Sequence, residues 1–127
     1  MMTEDVTVGL IRSVVEHLRK APEDWASLAV VLDVSRSGVR GALAIAYDAD
    51  GESVPAAISP SEVDPAVKTY LDSFFGEGDA LPVQLLVQFD RASGRYEVTF
   101  EDEDPNRWRL TPKTFDTLDE TLRPRFD

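Results

Sequence analysis

Two hairpin signals constrain the fold of this 127-residue chain more than any other sequence feature. Residues 28–34 form an apolar, valine-rich run that ends at a short turn with Gly38 as its last residue, and apolar residues then alternate over 39–47. The arrangement recurs at 83–89 and 96–100, around another glycine-containing turn. Because strands joined by short turns pair antiparallel, the sequence predicts four antiparallel strands in two hairpins.

Three helices are predicted around these hairpins. Apolar residues recur at spacings of three and four over residues 3–20, with Thr3 as a plausible N-cap. Asp64-Pro65 predicts the start of a second helix, and Thr111-Pro112 the start of a third that Pro124 ends. The prolines and serines of residues 52–63 indicate a loop, with a short edge strand as the alternative.

These elements predict one α+β domain that spans residues 1–127, in the order α-ββ-α-ββ-α. Its four-stranded antiparallel sheet is expected to carry the helices on one face. The hydrophobic fraction of 43% and the charged fraction of 29% are typical of globular domains of this length, so we expect the chain to fold unaided.

The charge of the chain favours a basic protein as its partner. Thirteen Lys and Arg against 24 Asp and Glu give a net charge of -11, which repels the phosphates of nucleic acids and of anionic lipids. Charge complementarity would speed association with a basic protein. The alternative is that the charge serves solubility alone.

Residues that could support catalysis are few. His17 is the one histidine, the chain has no cysteine, and no serine-histidine-aspartate or serine-lysine arrangement can be assembled. Residues 76–79 place carboxylates where a phosphate would have to sit. Residues 48–52 resemble part of a calcium loop, but Ala57 stands where the bidentate glutamate is needed. We therefore expect no enzymatic activity, no cofactor and no metal.

The location of the protein is predicted from the absence of targeting features. The N-terminal residues 1–5 are acidic where a secretory signal needs a basic segment, and no apolar run approaches the roughly 18 residues of a membrane span. We expect a cytoplasmic protein that does not insert in membranes.

The acidic residues are densest towards the C-terminus, where they are expected to meet if the last helix folds back beside the fourth strand. Trp108 is either an exposed anchor inside this acidic rim or a buried lid on the core. The residues expected at this partner-binding surface are Glu97, Glu101, Asp102, Glu103, Asp104, Trp108, Asp116, Asp119 and Glu120.

Three segments of the chain resemble the YezG family of immunity proteins, the antitoxins encoded beside polymorphic bacterial toxins. They are Pro22-Glu23-Asp24-Trp25 after the first helix, Tyr47-Asp48-Ala49-Asp50-Gly51 after the first hairpin, and residues 90–100, followed by acids and Trp108. The resemblance implies that the chain binds a cognate toxin domain, often a nuclease, and occludes it. It implies no catalytic residue.

The expected function is therefore that of an immunity protein that neutralises a basic toxin, with a monomer expected and a dimer as the alternative. A second hypothesis is an acidic, dimeric secretion chaperone, or another non-catalytic binding module. Such a chaperone would need a large uncovered apolar face for an unfolded segment.

Overall fold

The computed structural model describes residues 3–35, 38–76, 78–104, 107–109 and 117–124, and these contain five strands and three helices. Their order along the chain is α1 (Thr3–His17), β1 (Ser27–Ser35), β2 (Gly38–Tyr47), β3 (Ser53–Ala56), α2 (Pro60–Phe74), β4 (Gln84–Asp90), β5 (Tyr96–Glu101) and α3 (Leu118–Leu122). The α+β class and both predicted hairpins are confirmed.

The strands form one antiparallel sheet in the order β3-β2-β1-β4-β5. The prediction of four strands is wrong, because residues 53–56 pair with β2 as a fifth strand. Pro55 lacks the N–H that a central strand would use, so this segment can pair only at an edge. The edge-strand alternative is therefore the correct one for this segment.

The first helix ends three residues earlier than predicted. Leu10, Ile11 and Val14 are buried, as the apolar spacing requires. After His17, however, Arg19 exchanges two backbone hydrogen bonds of 2.8 Å with Ala57. Its N–H and carbonyl are thus unavailable to a helix.

The second helix begins four residues before Asp64, so the predicted cap is wrong. Pro60 occupies the first turn, and Ser59 is the N-cap residue. The Asp64 carboxylate instead accepts the Val39 N–H at 2.8 Å and lies 3.4 Å from the Lys68 ammonium group. Pro65 falls within the helix on its exposed side, where the missing hydrogen bond is close to the N-terminus.

The main core lies between the sheet and the helices α1 and α2. Alternate residues of β1, namely Leu28, Val30 and Leu32, point into it and are fully buried. The core also takes residues from both helices and from β4. Its other buried members include Leu10, Val14, Val63, Val67, Tyr70, Leu85 and Val87.

A second cluster covers the opposite face of the sheet, so the prediction of helices on one face is wrong. Leu118 and Leu122 of α3 are buried there against the intervening residues of β1, Ala29 and Val31. Trp108 belongs to the same cluster. The predicted start of this helix at Thr111-Pro112 lies outside the described residues.

Candidate protein-binding surface

The turn between β4 and β5 is built by Asp90. Its side-chain carboxylate accepts the Ser93 N–H at 3.1 Å and the Ser93 hydroxyl at 2.5 Å, while its carbonyl accepts the Gly94 N–H. Gly94 has φ of 74°, a conformation that glycine adopts without strain. After this turn the chain continues as β5, which lies at the edge of the sheet.

The two faces of β5 carry different chemistry. Val98 and Phe100 pack against the main core, and Tyr96 lies on the same face. The intervening residues Glu97 and Glu101 lie on the face that also carries the second cluster. One edge strand therefore presents an apolar side and an acidic side.

The Glu101 side chain binds the backbone of the loop that follows β5. One of its carboxylate oxygens accepts an Arg107 guanidinium N–H at 2.8 Å, and the other accepts the N–H groups of Glu103 and Asp104, both at 3.1 Å. These contacts favour the charged form, with the Arg107 hydrogen bond the largest cause, and lower the pKa of Glu101 to about 2. Glu101 is thus a structural cap for the loop.

The remaining loop acids, Asp102, Glu103 and Asp104, are exposed. Glu101 binds this loop through the backbone N–H groups of Glu103 and Asp104. Glu97 is also exposed, four residues earlier on the same strand. These four predicted site residues form an accessible negative surface on β5 and directly after it. We call Asp102, Glu103 and Asp104 the acidic loop.

Trp108 is not an exposed anchor. Only 3% of it is accessible, and it packs in the second cluster. The guanidinium of Arg107 lies 4.7 Å from the centre of its ring. The buried-lid alternative is therefore correct.

Glu120 of α3 does not join the acidic loop. Leu122 accepts a 2.8 Å hydrogen bond from the Gln88 amide, and Arg123 lies over the Tyr47 ring. These contacts hold α3 near the end of the sheet where β4 turns into β5, whereas the acidic loop follows the other end of β5. Glu120 is exposed there and pairs with Arg123 at 2.6 Å.

Two further predicted site residues cannot be added to either group. Asp116 lies outside the described residues, and for Asp119 the structure describes only the backbone, within α3. Of the predicted acids with described side chains, Glu97, Glu101 and the acidic loop lie on or directly after β5, whereas Glu120 lies apart from them on α3.

An apolar feature beside β5 has no counterpart in the sequence prediction. Val8, Phe74 and Tyr96 are 40%, 42% and 37% exposed, which sets them apart from the other large apolar side chains described. Val8 and Tyr96 line a groove of about 370 Å³ between α1 and the β4–β5 hairpin. The ring centres of Phe74 and Phe100 are 5.9 Å apart. The alternation of β5 predicted an apolar face, but not that part of it stays uncovered.

The other candidate sites have structural roles. The Asp48 carboxylate accepts the N–H groups of Asp50 at 2.9 Å and Glu52 at 3.0 Å, which closes the turn after β2. The Nδ1 atom of His17 lies 2.8 Å from the Ser13 carbonyl. Among the described residues, no group of three or more acids and histidines is placed to hold a metal ion.

Within the part of the chain that the structure describes, no helix has both the length and the apolar character needed to cross a bilayer.

Comparison with known proteins does not assign the chain to a family. No protein-family model matches the chain, and no curated protein matches its sequence.

Proposed function

We propose that this protein acts by binding a basic protein, and that it is an immunity protein that occludes a cationic toxin such as a nuclease. The observation that carries the proposal is the acidic loop, whose backbone donates two hydrogen bonds to Glu101 and whose three acidic residues are exposed. A net charge of -11 extends the negative potential over the molecule and favours encounter with a positively charged surface.

The location of the loop also supports recognition of a folded partner. Arg107 joins Glu101 to the ring of Trp108, and Trp108 is buried in the second cluster. The loop is therefore preorganised, and little conformational entropy is lost when a partner binds it. The resemblance to YezG-type immunity proteins points in the same direction.

The alternative, a secretion chaperone, needs an uncovered apolar face for an unfolded segment. Side chains pack on both faces of the sheet, against α1 and α2 on one side and against Trp108 and α3 on the other. Apart from the groove lined by Val8 and Tyr96, the described faces of the sheet are therefore covered, which supports the immunity proposal over the chaperone.

The test is co-expression with the product of the adjacent reading frame, followed by measurement of growth and of complex formation. The immunity proposal expects that product to be toxic alone and harmless with this chain. Binding without toxicity would favour the chaperone, and absence of binding would overturn the proposal for that partner.

The role of the acidic loop is tested with the triple variant Asp102→Asn/Glu103→Gln/Asp104→Asn, which keeps the backbone donors to Glu101. We expect the association rate to fall about tenfold at low salt and to lose most of its salt dependence. The matched control, Glu23→Gln/Asp24→Asn/Asp72→Asn, removes the same charge from exposed positions elsewhere. Equal effects of the two variants would contradict a local role for the loop.

A further inference from the structure

The contacts that dock α3 lie on the second face of the sheet. Leu118 and Leu122 are 3% and 0% exposed and pack in the second cluster. The Gln88 amide donates a 2.8 Å hydrogen bond to the Leu122 carbonyl. The guanidinium of Arg123, directly after the helix, lies 4.6 Å from the centre of the Tyr47 ring. These contacts join α3 to the sheet.

A helix as short as α3 depends on this docking. It has five residues, and the side chain of its N-cap residue, Thr117, accepts no capping hydrogen bond from the described residues. Because a single helical turn is unstable in water, the conformation of α3 relies on the apolar contacts of Leu118 and Leu122. Docking and helix formation are therefore one coupled step.

The main core is built without α3. It lies on the other side of the sheet, and its described members come from α1, α2, the strands and Ile58, with none from α3. The described pairings of the five strands also involve no residue of α3. An element that contributes nothing to the main core can open at a smaller cost in free energy than unfolding of the whole domain.

We propose that α3 is a releasable cover, which leaves the second face of the sheet while the main core and the five strands stay folded. Release exposes Ala29 and Ile45 and separates the Gln88 amide from the Leu122 carbonyl. The protein then presents an apolar sheet face that its closed form covers. The proposal does not depend on the proposed function, because it rests on the packing of α3 alone.

The absence of cysteine from the chain permits a direct test by thiol labelling. Ala29→Cys places one thiol on the second face of β1, among the residues that α3 covers. The matched control, Ala44→Cys, places one on the main-core face of the adjoining strand β2. The two alanines are 0% and 3% exposed, so neither thiol can react without an opening of the structure.

The labelling rate and its dependence on urea distinguish local from global opening. We expect Ala29→Cys to react with a soluble disulfide reagent about tenfold or more faster than Ala44→Cys in the absence of urea. At low urea the rate for Ala29→Cys should change little, because release of α3 exposes little surface. The rate for Ala44→Cys should rise with the full slope of global unfolding.

A variant that lacks both apolar anchors of α3 gives the second measurement. Leu118→Ser/Leu122→Ser should keep a cooperative urea transition and the circular dichroism of the sheet, because the main core is unchanged. In this background Ala29→Cys should label at close to the rate of an exposed thiol. The matched control, Leu32→Ser/Leu85→Ser, changes two fully buried leucines of the main core and should abolish the cooperative transition.

Either of two results would overturn the proposal. One is that Ala29→Cys and Ala44→Cys label at the same rate and with the same dependence on urea. The other is that Leu118→Ser/Leu122→Ser loses its cooperative transition as the main-core variant does. Both results would make α3 part of the same cooperative unit as the main core.

Discussion

At the scale of single residues, Glu101 differs from the acids that follow it. Its carboxylate accepts hydrogen bonds from the protein itself, whereas Asp102, Glu103 and Asp104 are exposed. Its partners are the Arg107 guanidinium and the backbone of Glu103 and Asp104. The sequence placed Glu101 within an acidic run but could not distinguish it, since the distinction comes from where the chain turns after β5. The Arg107 side chain, six residues later, lies beside Glu101 at the end of the strand.

This difference makes a prediction about pH. The pKa of Glu101 is lowered from 4.5 to about 2, so its contribution to stability is fully present above about pH 4.5 and is lost as the pH falls towards 2. We expect Glu101→Gln to lower the thermal midpoint at pH 7, and the difference from the wild type to shrink below pH 4.5. Thermal unfolding followed by circular dichroism at several pH values measures this difference.

The control for this prediction is Glu97→Gln, on the same face of the same strand, where the side chain is exposed. It should change the midpoint little at any pH. A deficit of Glu101→Gln that is independent of pH would show that the carboxylate does not act through its charge.

Trp108 provides a second prediction at this scale. Because it is 3% exposed and packs with Leu118 and Leu122, Trp108→Ala should lower the free energy of unfolding by about 3–5 kcal/mol. Trp108→Phe should lower it much less, since most of the apolar volume remains. Urea denaturation measures both, and equal small losses would contradict the burial of this side chain.

At the scale of elements, local patterns predicted the four longer strands well, because turn residues and side-chain alternation determine hairpins locally. Helix ends were predicted less well. Asp64-Pro65 has the pattern of a helix start, but the Asp64 carboxylate makes a tertiary hydrogen bond to the Val39 N–H and also lies near Lys68, one turn later in the same helix. Arg19 leaves α1 because Ala57, 38 residues later, takes its backbone hydrogen bonds, and no local pattern encodes that contact.

The contact between the start of β2 and Asp64 of α2 gives a prediction at the scale of elements. Gly38 has φ of 122°, and a Cβ at this position would overlap the Asp64 carboxylate that binds the Val39 N–H. We expect Gly38→Ala to lower the free energy of unfolding by about 2 kcal/mol through backbone strain and displacement of Asp64. Urea denaturation is again the measurement.

Gly9 is the matched control for that substitution. It lies within α1, and a Cβ there would have no neighbouring atom within 4 Å. Gly9→Ala should raise the free energy of unfolding by about 0.5–1 kcal/mol, because alanine is the better helix former. Shifts of the same sign in the two variants would contradict the assigned role of Gly38.

At the scale of the whole molecule, the arrangement of layers was predicted only in part. The uninterrupted apolar run over residues 28–32 is typical of a strand covered on both faces, and β1 lies at the centre of the sheet. That signal was present in the sequence and argues against helices on one face. Which segment covers the second face depends on the path of the chain after β5, and the candidate surface was predicted only partly for the same reason.

The net charge predicts how the whole molecule responds to salt. With a charge of -11, repulsion within the folded chain is screened as ionic strength rises. We expect the thermal midpoint to rise by roughly 3–6 °C between low and high sodium chloride, which corresponds to about 1 kcal/mol. The variant Glu23→Gln/Asp24→Asn/Asp72→Asn, with a charge of -8, should rise less. A falling midpoint would show that local ion pairs outweigh the general repulsion.

The two edges of the sheet differ in a way that limits growth of any assembly. The edge opposite β5 is β3, which has four residues and contains Pro55, so it offers a short and interrupted row of backbone donors. Head-to-tail stacking, in which β5 of one molecule would meet β3 of the next, is therefore disfavoured, and with it the open fibres that such contacts generate. Pro55 thus makes the β3 edge a poor template for a further strand, which limits the growth of any assembly from that side of the sheet.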